Sequence, residues 1–418
     1  MQNRKQWLWG VLAILSILVG ALAYYWYVSN EALSIQVKKT LREDMLYQPA
    51  LSQHAYFMLL GMNAGEVDNP VRLGALRYHY DWRKFIKQPN IESNDNATHA
   101  EQNVPIVKLS ESEVKMLNAL RETYRDHPEK FTQEILSQQK QWLALTSRYS
   151  FLIDRFDWWI QQNPYVSLVT PSNSQYPDYG FVLDTFTLSI IEIGLMPRGR
   201  LNAYANLFQK LQQFDQQRLS LAEKMLVQHW ISVVVDLMRY EQLRSGEFLQ
   251  LTLPQKDNIG FDAALDYELM EIYSVYQELS SSETGLDDSF TKLFNRNVAL
   301  YMPFYKLSHQ PYHELKANFL AEEWKPNLKN LYFVFLKGVD ESNVFLYEKN
   351  ILRNHVIQNK IYVFNALNTP NWNVQQLNQN TEGRFYFEKD GMLCIEIPYP
   401  KEKIESVKPL PDSCLVIQ

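Results

Sequence analysis

Residues 200–250 read RLNAYANLFQKLQQFDQQRLSLAEKMLVQHWISVVVDLMRYEQLRSGEFLQ, with no proline and with Gly246 as the single glycine. Proline and glycine disfavour a helix interior by roughly 3 and 1 kcal/mol, so a stretch this long without them reads as helix. The same reading covers Glu111 to Arg125, Pro128 to Gln162 and Phe181 to Leu195. Pro164, Pro171 and Pro177 separate the second of these segments from the third, and Pro197 with Gly199 separates the third from the fourth. Further helices are expected over Phe261 to Leu279 and Asp287 to Met302. The class is therefore mainly α, with a helical body over 111–323.

Beyond Trp324 the pattern changes. Leu331 to Leu336, Asn343 to Tyr347 and Ile361 to Phe364 are short aromatic or β-branched runs and are expected to be strands. Arg384 to Ile397, RFYFEKDGMLCIEI, reads as a hairpin closed at Asp390-Gly391, a dipeptide that tolerates the positive φ of a tight turn. A last strand is expected over Ser413 to Ile417, giving a small β or α+β unit at 324–418. The chain's two cysteines, Cys394 and Cys414, both fall there. Two readings stay open: a bridge worth ~3 kcal/mol in the loop-entropy picture, or two buried free thiols.

At the other end, Arg4 and Lys5 precede an apolar run from Trp7 to Val28 that closes on Tyr24, Tyr25, Trp26 and Tyr27. About 20 apolar residues cross a bilayer core, and Tyr and Trp favour its headgroup zones. The segment 7–28 is thus expected to be a transmembrane helix, with a cytoplasmic stub at 1–6 and the remaining chain exported. Ala21-Leu22-Ala23 also fits a signal-peptidase site, so cleavage after Ala23 is the competing reading, and both export the body. Membrane-proximal helices are expected over 29–86: apolar Leu33, Val37, Leu41 and Met45 recur at four-residue spacing, Pro49 ends that helix, and Leu51 to Met62 forms another that Gly61 helps to stop. A polar loop or linker follows at 87–110. It contains Asn96-Ala97-Thr98, a glycosylation sequon that matters only in a eukaryotic secretory lumen.

The chain has 418 residues, 46% of them hydrophobic and 13% aromatic, enough to bury a large core. Residues 1–30 hold two basic and no acidic side chains, which leaves 39 Lys and Arg against 47 Asp and Glu in the exported part. That surface repels phosphate backbones, so nucleic acid is not an expected partner. Gln53 to Ala64, QHAYFMLLGMNA, shortly after an N-terminal span, resembles a segment of uncharacterised single-pass inner-membrane proteins of Gram-negative bacteria. The resemblance implies a cell-envelope setting with a periplasmic body, and it brings no activity and no functional residues.

Candidate chemistry is sparse. His309 and His313 have metal-ligand spacing, although Pro311 between them interrupts a helix. Ser112 and Lys115 match Ser-x-x-Lys without its Ser-x-Asn and Lys-Thr-Gly partners. A Ser110 or Ser112 helix cap accounts for the same residues. Ile193-Gly194-Leu195-Met196-Pro197 resembles the Gly-Leu-Met segment of lytic transglycosylases, and Glu192 stands just before it, but the upstream Glu-Ser pair of that family is missing. Asp184 and Glu192, about 80° apart on a helix, are the acid and base pair an envelope hydrolase would use. Trp158-Trp159 could stack sugars, but adjacent residues diverge by about 100°, so each is expected to pack separately in the core. No cofactor motif is recognisable. The expected function is a non-catalytic interaction, scaffold or assembly role with envelope proteins; the alternatives are glycosidase-like action on peptidoglycan and small-molecule binding.

Overall fold

The structure, a computed structural model, describes residues 55–85, 105–168, 177–253, 261–281, 350–379, 384–396 and 413–417. The expected span 7–28, the helix after it, the sequon at Asn96, His309 and His313, the helix at Asp287 to Met302 and the strands at 331–336 and 343–347 lie outside these residues. Among the described residues no helix is long and apolar enough to cross a membrane. The chain is mainly helical, with a three-stranded sheet near its carboxyl end.

Helix α1 (Ala55–Leu60) packs on α2 (Pro70–Phe85), and Tyr56 and Phe57 meet Tyr78 at ring separations of 6.1 and 5.4 Å. Then come α3 (Glu111–Asp126) and a single 3-10 turn, Pro128–Lys130. Pro128 to Gln162 is not one helix but three short ones, α4 (Phe131–Ser137), α5 (Gln139–Arg148) and α6 (Ser150–Ile160). The breaks fall at Gln138 and Tyr149, whose ψ angles of 28° and 22° leave the helical well although neither residue is a helix breaker. Packing against α7 (Tyr179–Leu195) turns the chain there, and α7 touches α3, α4, α5, α6 and α8. Buried on almost every side, α7 satisfies its hydroxyls internally: Thr185, Thr187 and Ser189 donate back to the carbonyls four residues earlier.

Arg200 to Gln250 also divides, into α8 (Arg200–Asp215) and α9 (Leu221–Ser245). The second start is set by Ser220: its hydroxyl accepts the Glu223 N–H, and the Glu223 carboxylate accepts the Ser220 N–H. Gly246, at φ 71°, supplies the left-handed residue that closes α9. Helix α10 covers Phe261–Ser281. Trp159, Phe186, Phe214 and Trp230 form the centre of the core, with Phe186 stacked on Trp230 at 5.0 Å and Trp159 edge-on to Phe214 at 4.9 Å. Trp158 departs from expectation: it is 40% exposed.

Ile361 to Phe364 is not a strand. It lies inside α11, residues 350–367, where Ile357, Ile361 and Phe364 are buried at helical spacing. Three or four β-branched or aromatic residues fit a pleated sheet or a buried helix face equally well, and packing decides. A short α12 (Val374–Gln379) precedes strands β1 (Tyr386–Lys389), β2 (Met392–Ile395) and β3 (Cys414–Val416) in the antiparallel order β1-β2-β3. The hairpin turn is Asp390-Gly391, at φ 51° and 73°. Both outer strands are engaged. Asn378 imitates a neighbouring strand, accepting the Tyr386 N–H at 2.7 Å and donating to its carbonyl at 3.0 Å. On the far side, the Arg239 guanidinium of α9 holds the Val416 and Ile417 carbonyls.

Cys394 and Cys414 sit directly opposite one another on β2 and β3, and the structure contains their disulfide, with Cα atoms 4.1 Å apart. Purified protein should therefore show no free thiol before reduction. Cys394→Ser should loosen the sheet more than α7 or α9, read as lost amide protection in β2 and β3 by hydrogen exchange. Uniform loss of protection across the body would contradict that placement.

Candidate functional site

The two carboxylates nominated as an acid and base pair face different neighbours. Asp184 is buried and bonded to Arg121 of α3, whose guanidinium also donates to Thr187 at 3.0 Å and Asn118 at 2.6 Å. Burial raises the Asp184 carboxyl, and Arg121 offsets part of that rise. Glu192 is exposed two turns further along α7, and its carboxyl is raised by partial desolvation and by the charges of Asp154 and Asp157 on α6. Asp184 thus looks towards α3 and Glu192 towards α6. Gly194 has a packing reason of its own: a Cβ there would stand 2.7 Å from the Ile135 Cδ1 of α4.

Ser110 caps α3 in a complete capping box, accepting the Glu113 N–H while the Glu113 carboxylate takes the Ser110 N–H at 2.8 Å. Ser112 is exposed in the first turn, its hydroxyl 3.1 Å from that of Ser110, and Lys115 is exposed as well. Ser112 and Lys115 are thereby accounted for by helix initiation. Among the described residues no three His, Cys, Asp or Glu side chains gather as a metal set.

Other polar groups, not singled out by the sequence, lie deep in the fold. Glu223 is fully buried and accepts the Tyr165 hydroxyl at 2.8 Å, the Ser167 hydroxyl and the Ser220 N–H at 2.9 Å. Burial raises its carboxyl despite these bonds. In turn, burial first and the Glu223 charge second push the Tyr165 phenol well above its ordinary range. Ser-Leu-Ala-Glu at 220–223 is a legible capping-box signature, hidden by its position inside an unbroken helix-forming stretch. Arg155 of α6 closes the α1–α2 connection, donating to the carbonyls of Ala64 at 2.5 Å, Gly65 at 2.7 Å and Asp68 at 3.0 Å. Nothing local in sequence announces that clamp.

A cavity of about 170 Å³ opens between α1, α2 and the start of α7. Leu60, Met62 and Phe181 form its apolar wall, and Asn63, Arg77 and Asp178 its polar one. The polar groups have structural work: Arg77 donates to the Leu60 carbonyl at 2.5 Å and to Asn63 at 2.9 Å, and Asp178 caps α7 through the Phe181 N–H. Its volume is below the ~300 Å³ at which ordinary small-ligand pockets begin. No family model, curated protein or solved structure matches the chain.

Proposed function

We propose that the chain is a single-pass envelope protein of the inner membrane, anchored through residues 7–28 with its amino terminus cytoplasmic and its body periplasmic, and that it acts by non-catalytic interaction, as a scaffold or assembly factor. The observation that carries this reading is the Cys394–Cys414 disulfide, because bridges of this kind persist in oxidising compartments and the apolar amino-terminal run supplies the route of export. The likeness of Gln53 to Ala64 to Gram-negative inner-membrane proteins points the same way. Residues 55–85 are built into the body, since Arg155 holds the connection between α1 and α2. The engagement of Asp184 by Arg121 favours this reading over peptidoglycan hydrolysis.

Two measurements test it. A reporter fused after Gln418 should be exported, and a cytoplasmic reporter would reverse the topology. Glu192→Gln keeps size and polarity while removing the titrating proton that acid and base chemistry requires. The variant should complement a deletion strain, whereas release of the body by cleavage engineered after Val28 should impair function through lost effective concentration at the membrane. A folded Glu192→Gln protein that fails to complement, beside a wild type that degrades cell wall in vitro, would establish the hydrolase instead.

A further inference from the structure

Helices α9 and α11 run side by side in the same direction, and their hydrogen bonds fix the register. Lys360 donates to Ser232 at 3.2 Å and to Asp236 at 2.6 Å, and Gln242 donates to Asn368. Each α11 residue therefore lies level with the α9 residue about 126 positions earlier. Carried two turns towards the amino termini, this register sets Arg353 level with Val227 and Gln228, and Asn350 level with Lys224. Gln228 stands one turn before Ser232 and Arg353 two turns before Lys360, so both project into the same seam.

Lys224 at this level is paired with Asp215 of α8, but four other polar atoms here have no partner. Gln228 is 1% exposed, and neither its Nε2 nor its Oε1 makes a hydrogen bond. Asn350 is also 1% exposed, and its Nδ2 and the Arg353 Nε are buried without an acceptor. Leaving such a group unsatisfied costs about 1–3 kcal/mol, and more for a charged one, so three orphaned donors beside one acceptor in one seam require an explanation. Charge adds to it. Three cations act on His229 here, Arg353, Lys360 and Arg121; Lys360 is paired with Asp236 and Arg121 with Asp184. Among the described residues Arg353 has no carboxylate partner, and burial alone lowers its guanidinium. Burial first, then these cations, push the His229 imidazole down to about 4.

We propose that the seam at Gln228, Asn350 and Arg353 binds a small oxyanion, a phosphate or a carboxylate. Arg353 supplies the charge, the Asn350 and Gln228 amide N–H groups donate to the oxygens, and the Gln228 Oε1 accepts a proton or hydroxyl carried by the ligand. A metal cation is disfavoured by the surplus of donors, and an apolar ligand would leave every one of them unpaired. The seam is distinct from the cavity at Arg77, and the proposal is independent of the anchoring argument.

The test uses the full chain in detergent, titrated with sodium phosphate or sodium acetate against sodium chloride at equal ionic strength. Calorimetry should show saturable binding of at least one oxyanion, and Arg353→Met, which keeps an unbranched apolar stem, should weaken it by roughly tenfold to a hundredfold. Phosphate binding without acetate binding assigns a phosphoryl group, and the converse a carboxylate. The His229 ring gives a readout that needs no variant: a negative charge beside it should raise its titration above its value in chloride, followed by NMR. Equal affinity in wild type and Arg353→Met overturns the proposal. So does an unchanged His229 titration at high phosphate and high acetate, which would leave the orphaned atoms to ordered water.

Discussion

Gly74→Ala should destabilise the protein by about 3 kcal/mol or more, the upper end of what overpacking costs. A Cβ built on Gly74 would stand 1.8 Å from the Phe57 carbonyl oxygen and 2.6 Å from its carbon. The reciprocal contact is as close: a Cβ on Gly61 would lie 1.8 Å from the Pro70 carbonyl oxygen. Both obstacles are backbone, so no rotamer change relieves them, and α1 and α2 must separate. Separation would uncover Tyr56, Phe57 and Tyr78, each at most 1% exposed. The measurement is the urea midpoint at unchanged slope. Gly180→Ala is the control, because there the nearest obstacle is the Asp178 side chain at 3.3 Å. A Gly74→Ala protein within about 0.5 kcal/mol of wild type, the range of ordinary surface changes, would show that the two helices do not touch through their backbones.

What could be read from the sequence was whatever depends on a few adjacent residues. Asp390-Gly391 announces its turn because two consecutive positive φ values are tolerated by few residue pairs. Ser110 and Glu113 announce the start of α3 in the same way. Where the determinant lies far along the chain, the reading fails. Asp184 resembles a catalytic acid in isolation, and only its contact with Arg121, 63 residues earlier, turns it into a structural ion pair. Gly61 reads as a helix stop, and α1 does end at Leu60, but its role is the close approach of Pro70. Ile361 to Phe364 satisfies the composition of a strand, and the helical repeat back to Ile357 becomes decisive only over a longer window. The breaks at Gln138 and Tyr149 carry no local signal, since tertiary packing against α7 makes them.

Glu223 and Glu113 occupy the same position in the same four-residue motif, and their alanine variants should respond to pH in opposite directions. Glu223→Ala strands the Tyr165 and Ser167 hydroxyls in the core, while the Ser220 N–H keeps the Ser167 hydroxyl oxygen as an acceptor at 2.9 Å. At about 1–3 kcal/mol for each of these two unsatisfied groups, combined less than additively, the expected loss is about 2–4 kcal/mol. Glu113 sits at the rim, where its carboxylate meets Ser110, Tyr149 and the largely exposed Arg148, so Glu113→Ala should cost about 1 kcal/mol, as an ordinary cap does. Burial raises the folded Glu223 carboxyl above its unfolded value, so the stability it contributes is complete below the unfolded value and declines as pH rises through the folded one. For Glu113, burial is outweighed by bonds from Ser110 and Tyr149 and by the Arg148 charge, and its carboxyl is lowered. Its contribution is present above the unfolded value and is lost as pH falls through the folded one. Urea titrations of both variants beside wild type from pH 3 to 8 should show the Glu223→Ala deficit shrinking with rising pH and the Glu113→Ala deficit growing at the acid end. Parallel trends would mean that burial does not separate the two carboxylates, and a Glu223→Ala loss below about 1 kcal/mol would remove Glu223 from the core network altogether.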